Sequence, residues 1–179
     1  MNKAKINEPV IISLDKPIKV AFLLLQYRSQ LFDDVYPFWE TFRRKLKSAN
    51  SYQRSIGLML IAENTKWDVE NKLDNTIDEY LNLLNDEKPI TIRQCIQSLS
   101  WIVPYRKNLH DKVVKALLSF DLPGVKETMR KSILLDIINI LLILKKDYCN
   151  DEMDSYILSA LTGEILDKNS KKQIEALFS

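Results

Sequence analysis

Ser51-Tyr52-Gln53-Arg54-Ser55-Ile56, Thr91-Ile92-Arg93-Gln94-Cys95-Ile96 and Thr128-Met129-Arg130-Lys131-Ser132-Ile133 are three versions of one short motif, each with an Arg, a small residue and an Ile. Aligned on the Ile, the second follows the first by 40 residues (56 to 96) and the third follows the second by 37 (96 to 133). Each copy opens a strongly apolar helix, and a shorter amphipathic helix precedes it. A helix pair returning at that spacing is the mark of a helical solenoid, in which each pair buries its apolar face only against its neighbours.

The wider chain agrees with this reading. Pro17, with Asp15 upstream as a cap, predicts a helix to about Leu31, and Asp33-Asp34 before Pro37 repeats that logic for a helix striped by Phe38, Trp39, Phe42 and Leu46. Apolar spacing then predicts helices over 51–64, 73–84, 89–103, 109–118 and 126–145, with Pro104 ending one and Asp121-Leu122-Pro123-Gly124 forming a turn before another. Two more polar helices, near 152–162 and 168–178, close the chain as a solenoid cap. The fold class expected is all-α: a HEAT/armadillo-like αα-superhelix of about nine helices in a single domain, 1–179. Residues 1–16 are irregular and briefly extended at Val10-Ile11-Ile12, the repeats run roughly 35–70, 71–106 and 107–146, and 151–179 is the cap.

The segments Asn50-Ser51-Tyr52-Gln53-Arg54, Lys66-Trp67-Asp68 and Asp86-Glu87-Lys88-Pro89-Ile90-Thr91-Ile92-Arg93-Gln94-Cys95-Ile96 resemble a small bacterial family of HEAT-like proteins, commonest in Firmicutes. The resemblance covers roughly residues 35 to 145. It implies the same helical-repeat fold and carries no established activity.

Composition removes several function classes. Three glycines, Gly57, Gly124 and Gly163, are too far apart for a phosphate-binding loop or a dinucleotide turn. The single histidine, His110, argues against a His-rich metal site. It stands at a helix entry, where a solvent-exposed side chain is expected. Cys95 and Cys149 lie outside any CxxC spacing; Cys95 reads as a buried free thiol, and the chain as a cytoplasmic one. Val10–Leu14 is too short for a signal-peptide core, and the longest apolar run, Ile133–Leu144, is broken by Asp136 and Asn139 and falls short of a membrane span. No catalytic motif, cofactor site or metal site is predicted.

What remains is a surface. Trp101 and Tyr105, one turn apart and in line with Gln94 and Ser98, make a polar face bearing two aromatics. The preferred reading packs both rings against the next repeat; the alternative exposes them for recognition. Ser132, Asp136, Asn139 and Lys146 form a polar strip on an otherwise apolar helix, which must meet water or a ligand. Arg54, Arg93 and Arg130 are expected to bond the preceding turns and fix stacking register. Asp74 and Asp78, within an acidic stretch from Glu63 to Glu87, read as a solvated outer face.

The function expected is a non-enzymatic binding or scaffold module whose concave groove takes a protein or peptide partner, with candidate residues Arg93, Gln94, Trp101, Tyr105, Arg130, Asp136 and Asn139. The alternative is DNA binding, as in HEAT-like alkylpurine glycosylases, through Arg43-Arg44-Lys45-Lys47 and the cations from Arg106 to Lys131. The net charge of +2 disfavours it. So do Arg43, Asn71 and Tyr105, which stand four residues after the three tryptophans where that family's carboxylate belongs.

Overall fold

In the computed structural model, residues 19–178 are described, and they contain nine α-helices and no strand. The helices are α1 Lys19–Leu31, α2 Trp39–Lys45, α3 Ser51–Asn64, α4 Ile77–Leu81, α5 Pro89–Ile102, α6 His110–Leu118, α7 Glu127–Lys145, α8 Asp151–Thr162 and α9 Lys168–Phe178. Pro17 and the irregular 1–16 segment lie outside the described residues. No described helix is long and apolar enough to cross a membrane. The chain forms two compact units, one ending at Tyr105 and one beginning at Arg106.

Local chemistry sets the helix ends. Asn50 accepts from the Tyr52 N–H at 2.9 Å and caps α3, while Asn150 accepts from the Met153 N–H at 3.0 Å and caps α8. Pro89 opens α5, where its missing N–H costs nothing.

In the first unit, α1, α3 and α5 form one layer and α2 and α4 another. Contacts between helices recur at a near-constant sequence offset. Gln26 bonds Glu63 across 37 residues, Ser29 bonds Asn64 across 35, Trp39 bonds Thr76 across 37 and Arg43 bonds Glu79 across 36. Because both partners advance together, α1 runs parallel to α3, and α2 parallel to α4. The core between the layers holds Trp39, Phe42, Leu58, Leu60, Ile61, Leu73, Ile77 and Tyr80, all fully enclosed.

Arg54 joins α3 to the turn before α5. Its guanidinium donates to the Ser48 and Ala49 carbonyls at 2.8 and 3.1 Å, closing the turn before its own helix. It also grips Asp86 with two bonds, Nε to Oδ2 at 2.6 Å and an η nitrogen to Oδ1 at 2.8 Å. The expected bonding of the preceding turn is present at Arg54. It is present also at Arg130, which donates to the Val125 and Pro123 carbonyls at 3.0 and 2.7 Å.

One expected helix differs. Residues 73–84 form a 3-10 turn (Lys72–Asn75), the short α4, and a second 3-10 turn (Asn82–Asn85). Asp68 explains the start: its carboxylate accepts from the Lys72 and Leu73 N–H groups at 2.8 and 2.9 Å and from the Tyr36 hydroxyl at 2.8 Å. Thr76 then donates its hydroxyl to the Lys72 carbonyl at 2.8 Å, a local bond that competes with continuous helix. Asn71, at φ 55°, enters this turn left-handed, which its short side chain tolerates.

In the second unit α6, α7 and α8 pack together and α9 packs on α8. The same offset returns: Tyr148 donates to Asp111 across 37 residues and Lys131 to Asp167 across 36. Buried faces shrink toward the end, and α9 buries only Ser170 and Ile174.

Two substitutions test this packing. Arg54→Ala leaves Asp86 buried without its cation and is expected to cost about 3 kcal/mol in urea unfolding, with Arg54→Ala/Asp86→Ala less destabilised than the single variant. Gly57→Ala places a Cβ 2.8 Å from the Phe42 carbonyl oxygen. The α2 backbone must shift, so a loss of about 1–3 kcal/mol is expected although alanine is the better helix former.

Candidate functional site

The α3 helix is enclosed along most of its length, and a charged residue near its end is therefore carried inward. Glu63 is only 4% exposed. It sits one turn after Met59, facing a stripe on α5 made by Gln94, Gln97, Ser98 and Trp101, which recur at i, i+3, i+4 and i+7. With Gln26 of α1 these residues line a cavity of about 210 Å³.

The electrostatics centre on the carboxylate. Gln26 Nε2 donates to Glu63 Oε1 at 2.7 Å, whereas Oε2 is buried and, among the described residues, has no donor at bonding geometry. Burial raises the Glu63 pKa from 4.5 to about 7, against the opposing pull of the Gln26 and Gln30 amides and of the Lys66 charge. Tyr80, wholly buried, lies close enough to feel that charge, and its own pKa is driven well up, chiefly by desolvation. Gln94 Nε2 is committed to Ser98 Oγ at 3.0 Å, which leaves the Gln94 carbonyl oxygen as an acceptor. A half-satisfied acid among amides and an indole can take a donor or a proton; it offers no positive charge to an anion.

Of the residues expected in a groove, Gln94 and Trp101 line this cavity. Arg93 and Tyr105 belong to the same helix region outside it, Arg93 half-buried and Tyr105 53% exposed. Packing of both rings does not occur: Trp101 is 43% exposed. Arg130, Asp136 and Asn139 lie in the second unit. There Asp136 is buried and Asn139 exposed, so the expected strip straddles the edge of the buried surface. None of these three lines the mainly apolar cavity of about 250 Å³ in the second unit that is bounded by Leu122, Leu134, Tyr156 and Ile165 among others.

Other expectations are corrected or accounted for. His110 is buried, not in solvent, because its ring packs edge-on against Tyr148 at 5.4 Å. Asp74 and Asp78 are exposed, but Asp68 of the same acidic stretch is buried as a turn cap and Asp86 is consumed by Arg54. Cys95 is a buried free thiol facing the Tyr80 carbonyl at 3.4 Å, and burial drives its pKa far up, away from nucleophilic reactivity. Among the described residues no group of three His, Cys, Asp or Glu side chains converges as a metal site.

The residue that sequence reasoning missed is Glu63. A signal existed: Ile56, Leu60 and Glu63 share one helical face, so the acid continues an apolar stripe. Comparison with protein-family models, with curated proteins and with solved structures finds no match to this chain.

The raised Glu63 value predicts a pH dependence. Between pH 4.5 and about 7 the folded chain holds a proton that the unfolded chain has released. Stability should therefore fall as pH rises through that window and level off above it. Glu63→Gln, neutral throughout, should be about 2 kcal/mol more stable than wild type at about pH 8 and nearly equal to it at about pH 4, read by urea denaturation.

Proposed function

We propose that this chain is a non-enzymatic binding module of HEAT/armadillo-like construction, working in the cytoplasm, and that the α1–α3–α5 layer of its first unit takes a protein or peptide segment. The observation that carries the reading is the open indole of Trp101 beside a cavity lined by amides and one buried acid. The near-constant contact offset of 32 to 38 residues supports the repeat construction. A buried, unreactive Cys95 suits a reducing compartment.

DNA binding is the weaker alternative. Arg43 and Lys47 both face Glu79, Lys107 faces Asp147, Lys115 faces Asp111 and Lys131 faces Asp167. Cations held by carboxylates have less to offer a phosphate backbone.

Selection of a displayed random-peptide library on the purified protein tests the reading. Selected peptides should shift amide resonances of α3 and α5, and Trp101→Ala should weaken them at least about tenfold, the loss typical of an interface anchor. Peptides that bind Trp101→Ala undiminished would place the surface elsewhere. Tight duplex binding that falls steeply with salt would favour the DNA alternative.

A further inference from the structure

We infer that the Glu63 cavity receives an arginine side chain of the partner. This rests on the peptide-binding reading above and gives it a chemical specificity.

The first argument is the carboxylate itself. A buried acid with one oxygen lacking a hydrogen bond is costly when charged, and a donor removes that cost without the acid having to take up a proton. Among the described residues the nearby cation is already engaged: Lys66, which acts on Glu63 from a distance, is bonded to the Gln30 carbonyl and stacked over the Trp67 ring at 4.8 Å. An anionic ligand would be repelled, and an apolar side chain would leave Oε2 orphaned.

The second argument is shape. At about 210 Å³ the cavity is smaller than the roughly 300 Å³ at which sites for free small molecules begin, and it suits one long side chain. The third is the remaining lining. A guanidinium offers five donors in a planar fork, enough for the Glu63 carboxylate and the Gln94 carbonyl oxygen together. Its flat face can lie on the exposed Trp101 indole at the mouth. A lysine ammonium is more strongly hydrated, cannot form the fork, and gains less from each of these.

The test uses the full chain and the blocked tripeptide acetyl-Gly-Arg-Gly-amide, followed through the indole N–H resonances of Trp39, Trp67 and Trp101 by NMR. Trp101→Phe identifies the reporting signal. The arginine tripeptide should shift the Trp101 resonance saturably. The citrulline and lysine counterparts should bind at least about tenfold more weakly, as should the arginine tripeptide to Glu63→Gln, the factor a charge-assisted bond carries. Trp39 is buried and bonded to Thr76, so its unchanged signal certifies that the variant is folded. No saturable shift up to about 10 mM, ten times the dissociation constant of a millimolar site, overturns the inference. So does an equal response to citrulline or lysine, or undiminished binding by Glu63→Gln. If library peptides still engage Trp101 while the arginine tripeptide does not, only the arginine assignment falls and the binding module stands.

Discussion

Arg54 is held on two sides, by the carbonyls of the turn it follows and by both oxygens of Asp86 in the turn before α5. A charge this enclosed is tolerable only if its partners do not move, so the pair fixes where α5 begins relative to α3. The consequence travels along both helices. Glu63 lies nine residues beyond Arg54, and Gln94 and Gln97 lie eight and eleven beyond Asp86. Helices starting from one clamp and rising at the same rate bring these residues level after about 13 Å. The cavity is therefore placed by an ion pair at the other end of the helices that line it.

The same stretch of α3 shows that the fold is able to satisfy polar groups when stability alone is at stake. Asn64, next to Glu63, donates to both Ser29 and the Leu60 carbonyl at 2.9 and 2.8 Å. Thr65 donates to the Ile61 carbonyl, and Asp68 collects three donors. Among the described residues Glu63 and Asn64 each keep one buried oxygen without a hydrogen bond, and of the two Glu63 lines the cavity. Burial makes its charge expensive at neutral pH, and Gln26 offsets only part of that cost.

The helices and their order were legible because apolar spacing, prolines and turn residues are local signals. The 51–64 and 89–102 helices sit within a residue of their expected ends. The 73–84 segment was not legible as a broken helix, because the break comes from Asp68 and from Thr76, which meets Trp39 from 37 residues away. Half of the site was visible: Gln94 and Trp101 stand out on one stripe. Glu63 did not, because its burial depends on which face of α3 meets α5, and an acidic stretch reads by default as solvent-facing. His110 misled for the same reason: the ring that shelters it, Tyr148, arrives from a later part of the chain.

The Arg54 and Arg130 motifs are alike in sequence yet differ in what the arginine joins. Arg54 closes its own turn and also grips Asp86. Arg130 closes its turn through the Pro123 and Val125 carbonyls, and the longer reach to the next turn passes to its neighbour Lys131, which holds Asp167. Asp167 in turn caps α9 by accepting from the Ser170 N–H at 2.8 Å, and with the Lys131 ammonium beside it its carboxyl stays well below the usual range. The first linkage is enclosed, with side chains 10% and 4% exposed, and the second is open, at 44% and 53%. An ion pair in water constrains far less than a buried one. Rigid register is thus concentrated between α3 and α5, where the cavity lies, and relaxes toward the last helix, which has little apolar surface to keep in place.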